Sequence, residues 1–246
     1  KYRDKDAIPA VGSAVVMDVN TGAVLACATY PSYDLNTYYQ NYEALSKDKS
    51  SPLWNRALMS TYEPGSTMKP AIAAAGLEEG VITETSKFYC SHIYRQFTDT
   101  TFKCLGSHGW IDVKNALNQS CNIYFYETGR LLGINRMNDY CTRFGLGQKT
   151  GVEINESSGV LAGIAYREAH GGTWYPGDTV QAAIGQSDNL FTPIQLCSYV
   201  STIANGGTRY RAHFVKSVKS SDYSETLLSN DGVVLNETGV SQNSIR

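Results

Sequence analysis

From Ser66 to Glu79 the chain runs through Ala, Ile, Leu and Met with almost no polar side, so that a helix built on it is apolar nearly all round. Such a helix has no face to give to water and must be enclosed by other elements. A chain of 246 residues is long enough to build that enclosure as one large domain. Glu63-Pro64-Gly65 breaks the chain just ahead of it, and Pro70 falls about a turn inside. The helix is therefore expected to begin at or just before Ser66, where a missing N–H does little harm.

The flanking segments supply the shell. Two apolar runs across 11–29, joined at Asn20-Thr21-Gly22, read as a β-hairpin. Tyr30 to Asn55 is polar and Tyr-rich without a clear period and reads as a long loop. Residues 80–110 read as irregular or short-strand structure. Asp112 is a good N-cap for a helix over 113–119, a second helix runs from Ile123 to Leu132 and stops at Gly133, and Asn135 caps a third that ends at Phe144-Gly145. Thr192-Pro193 opens a further helix, closed by Gly206-Gly207, and Arg209 to Lys219 alternates loosely as a strand. A hairpin first, helices in the middle and a strand at the end give an α+β class, an antiparallel sheet flanked by helices. There is no internal repeat and no inter-domain linker.

Charge and hydropathy exclude several functions. A net charge of -2 gives no basic footprint for phosphate backbones, so nucleic acid is not an expected partner. No apolar run approaches the roughly 18–20 residues needed to span a bilayer. The charged start Lys1–Asp6 is not followed by a signal-type stretch, so any anchor of the parent protein is expected outside this chain.

Two short motifs carry chemistry. Ser66-Thr-Met-Lys69 sets a hydroxyl and an amine three residues apart, on one face of the buried helix, where they can hydrogen-bond. A Lys desolvated at a helix N-terminus can have its pKa lowered enough to serve as base to a serine nucleophile. By itself this tetrapeptide also suits an ordinary surface Ser and Lys. Ser120-Cys121-Asn122 follows 51 residues after Lys69 in a turn between two helices, where residues i and i+2 can project together. Ser120 could pass a proton to a leaving amine and Asn122 could hold a substrate amide, although either could equally cap the next helix.

With these motifs in place the chain resembles the penicillin-binding protein transpeptidase domain, whose sequences carry S-x-x-K, S-x-N and K-T-G. Tyr62-Glu-Pro-Gly-Ser-Thr-Met-Lys-Pro70, His108-Gly, Ser120-Cys-Asn-Ile-Tyr-Phe-Tyr126, Gly133-Ile-Asn-Arg136, Phe144-Gly-Leu-Gly147, Thr150-Gly151, Asp178-Thr, Gly185-Gln186 and Thr192-Pro-Ile-Gln-Leu196 follow in the family's order. The similarity covers roughly residues 10–215 and is strongest to the class B, elongation (penicillin-binding protein 2) type. It implies the serine β-lactamase/penicillin-binding transpeptidase fold over 1–246. It also implies a peptidoglycan D,D-transpeptidase that acylates Ser66 with a D-Ala-D-Ala stem peptide, Lys69 acting as base, Ser120 as relay and Asn122 as substrate contact. β-Lactams would be donor mimics; a glycan-polymerising membrane protein and cell-shape factors would be partners. The location would be the extracytoplasmic face of the bacterial membrane, with an N-terminal anchoring helix absent from this chain. No cofactor is expected for catalysis. The alternatives weighed are a serine β-lactamase, which needs a further base for deacylation, and a penicillin-sensing or scaffold domain that does not turn over.

One motif departs from the pattern. Lys149-Thr150-Gly151 spells the third motif only 27 residues after Asn122, directly behind Phe-Gly-Leu-Gly. It is read as a decoy in a loop, the strand bearing the true motif being expected beyond the C-terminal end of this sequence.

Cys90, Cys104, His108 and Cys121 are spaced C-x13-C-x3-H-x12-C and lead into the Ser120 motif. Three thiolates and an imidazole are what a closed tetrahedral zinc site uses. The same residues also allow a Cys90–Cys104 disulfide, suited to an extracytoplasmic setting, or separate buried thiols. Some relatives of penicillin-binding protein 2 hold zinc here through Asp, His and Cys, and the His-Gly and Ser-Cys positions match. A structural zinc pinning Ser120 and Asn122 is the favoured reading. Cys27, Cys141 and Cys197 read as core residues, His92 as a loop residue and alternative ligand, His170 and His213 as surface or strand residues. Trp174 and Tyr175 read as loop packing, with a donor groove as the alternative; Gln186 and Thr192–Gln195 read as structural.

Overall fold

A computed structural model describes residues 10–245; the charged start Lys1–Asp6 lies outside them. The chain opens with strands β1 (Gly12–Met17) and β2 (Val24–Tyr30), paired antiparallel from Gly12↔Tyr30 to Met17↔Val24. Gly22 turns this hairpin at φ 75°, and a Cβ there would lie 2.5 Å from the Arg211 carbonyl oxygen, so no other residue fits.

The stretch read as a loop, Tyr30 to Asn55, holds one helix, α1 (Tyr38–Lys47), and a short helix α2 (Arg56–Met59) follows directly after it. α1 buries no residue. Its apolar side is made of tyrosines: Tyr38 packs edge-on against Tyr39 and Tyr42 at 5.2 and 5.6 Å between ring centres, a grouping that gives no apolar period. Asn55 caps α2 by accepting from the Ala57 and Leu58 amides.

A 3-10 turn over Gly65–Met68 runs straight into α3 (Lys69–Glu78), so helical backbone begins at Gly65 and Pro70 sits at N2, as the sequence suggests. Ala71 to Ala75 are all 0–4% exposed, the enclosure that an apolar-all-round helix demands. Short strands β3 (Phe88–Cys90), β4 (Ile93–Tyr94), β5 (Phe102–Lys103) and β6 (Gly109–Ile111) form two small antiparallel ribbons, β3 with β6 and β4 with β5. Asp112 caps α4 (Val113–Asn118) through the Asn115 amide at 2.9 Å.

Helix α5 (Asn122–Leu132) meets α6 (Ile134–Arg143) at Gly133 alone, whose φ of 75° reverses the chain. With one residue between the helices there is no room for Asn135 to cap, and it lies inside α6. Two short helices escape the sequence reading, α7 (Ile164–Ala169) and α8 (Pro176–Ala182), each flanked or opened by Gly or Pro. α9 (Pro193–Ala204) starts as expected in a capping box, Thr192 and Gln195 bonding reciprocally at 2.8 and 3.3 Å.

The expected strand over Arg209–Lys219 is broken in two. β7 (Thr208–Tyr210) and β8 (Ser217–Lys219) pair respectively with β10 (Val234–Glu237) and β9 (Thr226–Ser229), ahead of the terminal turn α10 (Gln242–Ile245). Between them Ala212 is drawn to the Thr150 carbonyl and His213 bridges the hairpin at Ala23, so His213 is buried rather than at the surface. The α+β class holds, its antiparallel pairing divided into two-stranded ribbons around the α3 core.

Close helix packing rests on small residues. A Cβ on Gly129 in α5 would lie 2.4 Å from that of Ala183 just past α8. Gly129→Ala should lower stability by about 1–3 kcal/mol, a fall of several degrees in the melting midpoint; an unchanged midpoint would show that the two helices can move apart freely.

Candidate active site

The enclosure of α3 buries Lys69 with it, leaving 1% of the residue exposed, while Ser66 one turn earlier faces solvent. A buried ammonium must find acceptors. Lys69 Nζ donates to the Ser120 carbonyl at 2.8 Å, to Ser120 Oγ at 3.0 Å and to Asn122 Oδ1 at 2.7 Å. It also lies 5.5 Å from the Phe125 ring centre. The four residues singled out in the sequence therefore meet, but not in the expected pairing. Among the described residues Lys69 makes no hydrogen bond to Ser66. Instead Ser120 Oγ bridges them, 2.8 Å from Ser66 Oγ. Lys69 spends its three donors on the Ser120–Asn122 turn, which leaves the second serine as the link to the first.

Burial pulls the Lys69 pKa down to about 8, against the opposing pull of the Cys104 and Cys121 thiols. A neutral amine can then take a proton from Ser66 through Ser120, since both hydroxyls rotate and either can donate.

The partners of Lys69 sit where α4 passes into α5. Ser120 adopts φ 51°, unusual for a residue with a side chain, and is held there by its amide on the Leu117 carbonyl and by the Cys121 amide on that of Ala116. Asn122 is fixed at both ends: its amide N–H donates to Cys104 Sγ at 3.2 Å and its Nδ2 to the Lys103 carbonyl at 3.3 Å. Tyr126 donates to the same carbonyl.

The Ser66 turn has a lock that the sequence reading missed. Tyr199 of α9, fully buried, accepts the Ala71 amide at 3.0 Å and donates to the Thr67 carbonyl at 3.1 Å. One hydroxyl thereby satisfies an orphan donor at the start of α3 and ties the Ser66 turn to it. A tyrosine in a helix carries no pattern that would announce this. On the other side the Gly65 amide donates to the Gly185 carbonyl at 2.9 Å, and Tyr62 bridges Phe191.

Cys90, Cys104, His108 and Cys121 converge directly behind Asn122, their ligand atoms all within 4.8 Å of one another. The two sulfurs of Cys90 and Cys104 lie 3.3 and 3.6 Å from His108 Nδ1, and Cys104 and Cys121 are 4.0 Å apart. Zinc–ligand bonds of ~2.0–2.3 Å place tetrahedral donors ~3.5–3.8 Å apart. Although burial raises the Cys104 thiol, backbone N–H groups at Gly106, Asn122 and Ile123 outweigh it and hold the thiol below its ordinary value; burial pushes Cys121 up to about 12. Donors aimed at a sulfur are what a thiolate ligand needs. The Cys90–Cys104 disulfide is not formed, all six cysteines being free. His92 lies outside the cluster and contributes only its carbonyl, to the Cys104 amide.

Lys149-Thr150-Gly151 lies apart. Lys149 is exposed, and Thr150 and Gly151 are bound to the buried Glu156 carboxylate at 2.7–3.0 Å. Gln195 is structural, its amide bonding the Gln148 and Ser158 carbonyls. Trp174 packs under Arg167 and bonds Thr179, while Tyr175 is exposed.

A family model described as the penicillin binding protein transpeptidase domain matches residues 12–246. Peptidoglycan D,D-transpeptidase MrdA of Salmonella typhimurium is 34% identical over 221 residues, covering 85% of this chain and 35% of that protein. A solved chain from work on the structural coordination of polymerization and crosslinking by a peptidoglycan synthase complex superposes at a TM-score of 0.84. It is 33% identical, covering 96% of this chain and 41% of that one. PBP2 of Helicobacter pylori, solved in complex with MreC, superposes at 0.78 with 28% identity, covering 87% of this chain and 41% of that one. The chain spans about a third of the length of the curated relatives it matches.

The position of Lys69 fixes the sign of a pH dependence. Protonated Lys69 cannot accept the Ser66 proton, so labelling of Ser66 by an acylating or phosphonylating serine reagent should rise with pH and level off above about 8. Lys69→Met should remove both the rate and its pH limb, and a pH-independent rate in the unchanged protein would take Lys69 out of the base role.

Proposed function

Because the chain belongs to the penicillin binding protein transpeptidase family, we propose that it carries the acyl-transfer centre of a peptidoglycan D,D-transpeptidase of the PBP2 type. The observation that supports this most is the unbroken chain of hydrogen bonds from exposed Ser66 through Ser120 to buried Lys69. It gives a nucleophile open to substrate, a relay, and a base whose proton affinity is lowered by burial.

Ser66 Oγ attacks the carbonyl of the penultimate D-Ala of a stem peptide while its proton passes through Ser120 to Lys69. The Ser66 amide, at the positive end of α3, faces the developing oxyanion. Collapse of the tetrahedral intermediate breaks the amide bond, and the same relay run backwards delivers the proton to the departing D-Ala amine. Asn122 holds the donor amide beside Ser66. An acceptor amine from a neighbouring stem then takes the acyl group and regenerates Ser66. A β-lactam follows the first half of this path and stalls as an acyl-enzyme. The sequence 1–246 acts in this reading as one transpeptidase domain. In this reading the whole protein is membrane-anchored at the cell wall and works with a glycan-polymerising membrane protein and cell-shape factors; in keeping with such partners, similar chains were solved in work on a peptidoglycan synthase complex and, for PBP2 of Helicobacter pylori, in complex with MreC. Lys149 has no part in this reading, since among the described residues it makes no hydrogen bond to Ser66, Lys69, Ser120 or Asn122.

A structural zinc ion held by Cys90, Cys104, His108 and Cys121 completes the proposal. It would supply no chemistry to the reaction. Its effect would reach the site through Cys104, which accepts the Asn122 amide, and through Cys121, which joins Ser120 to Asn122 in the chain.

Two measurements test these readings. Intact mass after incubation with benzylpenicillin should show one covalent adduct lasting hours and absent from Ser66→Ala; an adduct lost within minutes would instead indicate a β-lactamase, and one that survives Ser66→Ala would reassign the nucleophile. Elemental analysis should find one zinc per chain, with Cys104→Ser losing the metal and several degrees of thermal stability. Metal-free protein of unchanged stability would refute the zinc site.

A further inference from the structure

The turn that presents Ser66 is braced from outside by the segment 185–191. This strap touches the turn at two points: the Gly185 carbonyl accepts the Gly65 amide, and Phe191 pairs with Tyr62 through both of its backbone groups at 2.9 Å. The contact at Gly185 is backbone on backbone, with no side chain to cushion it. A Cβ added there would lie 2.2 Å from the Gly65 oxygen. A displacement of the strap is therefore passed to Gly65 and to its neighbour Ser66 rather than absorbed.

The strap is anchored in three places, first at Leu190, whose two backbone groups bond those of Val160 at 2.6 and 2.9 Å, then inward and outward of it. Inward, Asn189 is fully buried and uses its amide completely, accepting from Ala162 and donating to the Ala182 and Gln186 carbonyls. Outward, the anchor is a single side chain, Arg167 of α7. Its Nε donates to Asp188 at 2.6 Å and its Nη2 to Ser187 Oγ at 3.2 Å, with Asp178 of α8 at 3.4 Å. Among the described residues the side chains of Ser187 and Asp188 have no other hydrogen-bond partner. Ser187 sits at φ 65°, a conformation that persists in a residue with a side chain only when its surroundings impose it. Arg167 is itself fixed, its stem lying against Gly172 and its guanidinium stacked over Trp174 at 5.5 Å. Two carboxylates converge on this one cation, so its removal leaves Asp178 and Asp188, of like charge, without the group that both bond.

Building on the acyl-transfer reading above, we propose that Arg167 is a positioning residue for Ser66, holding the 185–191 strap against the nucleophile turn through Asp188 and Ser187. Lysine should not replace it, because a point charge cannot serve Asp188, Ser187 and the Trp174 face in one planar arrangement.

Amide hydrogen exchange over residues 62–68, read beside benzylpenicillin acylation, tests the proposal. In Arg167→Ala, exchange at 62–68 should quicken while the β1–β2 hairpin keeps its protection, and the acylation rate constant should fall roughly tenfold or more with little change in the affinity that precedes it. Arg167→Lys should recover only part of both. Asp188→Asn, equal in size and still able to accept one bond, should show the same pattern more weakly, and it serves if Arg167→Ala does not fold. Wild-type exchange at 62–68 in both Arg167→Ala and Asp188→Asn would overturn the proposal, even if acylation or thermal stability fell. Should the unchanged protein form no adduct at all, the acyl-transfer reading would fail on its own, while exchange at 62–68 would still decide whether Arg167 holds the turn.

Discussion

The structure depends on an ammonium group placed where water cannot reach it. Lys69 is buried because α3 is buried, and α3 is buried because its sequence gives it no polar face. An unpaired charge at that depth would cost several kcal/mol, so the fold must bring acceptors to it. Three converge, two from Ser120 and one from Asn122. The same requirement draws the α4–α5 turn onto the start of α3, and in doing so sets Ser120 Oγ within 2.8 Å of Ser66. The geometry of the candidate site and the satisfaction of a buried charge are one constraint here.

Each half of the site has its own support, and the supports differ in kind. The Ser66 half is held by backbone-directed hydrogen bonds, from Tyr199 inside and Gly185 outside. The Ser120–Asn122 half leans on Cys104 Sγ and the Lys103 carbonyl, that is, on the cysteine and histidine cluster behind it. The four residues of that cluster come from β3, the β5–β6 connection and the α4–α5 turn, so the zinc proposed above would tie three separate segments together behind this second half. The cysteine and histidine cluster thus lies behind the Ser120–Asn122 turn, not at Ser66.

What the sequence made legible follows from where its signals are local. The α3 core, the Asp112 and Thr192 caps and the hairpin at Gly22 each depend on a few adjacent residues, and all stand as read. Ser66, Lys69, Ser120 and Asn122 were also visible, through spaced motifs. Their pairing was not, because the choice of Ser120 over Ser66 as the partner of Lys69 depends on how two distant turns pack. Helix α1 hid behind tyrosines, which satisfy a helix surface without an apolar period. Asn135 lost its cap to Gly133 because two helices share one junction residue. The strand at 209–219 split because Thr150 and Ala23, far away in sequence, capture its middle.

Ser120 is where local preference and the needs of the site conflict most openly. A serine at φ 51° gives up about 1–3 kcal/mol relative to relaxed backbone. Glycine would adopt that turn freely but would remove the hydroxyl that joins Lys69 to Ser66. A relaxed serine would keep the hydroxyl but would not aim its carbonyl and its Oγ at one ammonium together. The turn must offer both groups, because Asn122 supplies only one acceptor and Lys69 has three donors to satisfy. Strain at this residue is thus what allows one short turn to neutralise a buried cation and still present a hydroxyl to Ser66. The tight succession of α4 and α5, tied by the Ser120 and Cys121 amides to the last carbonyls of α4, is the part of the fold that holds it there.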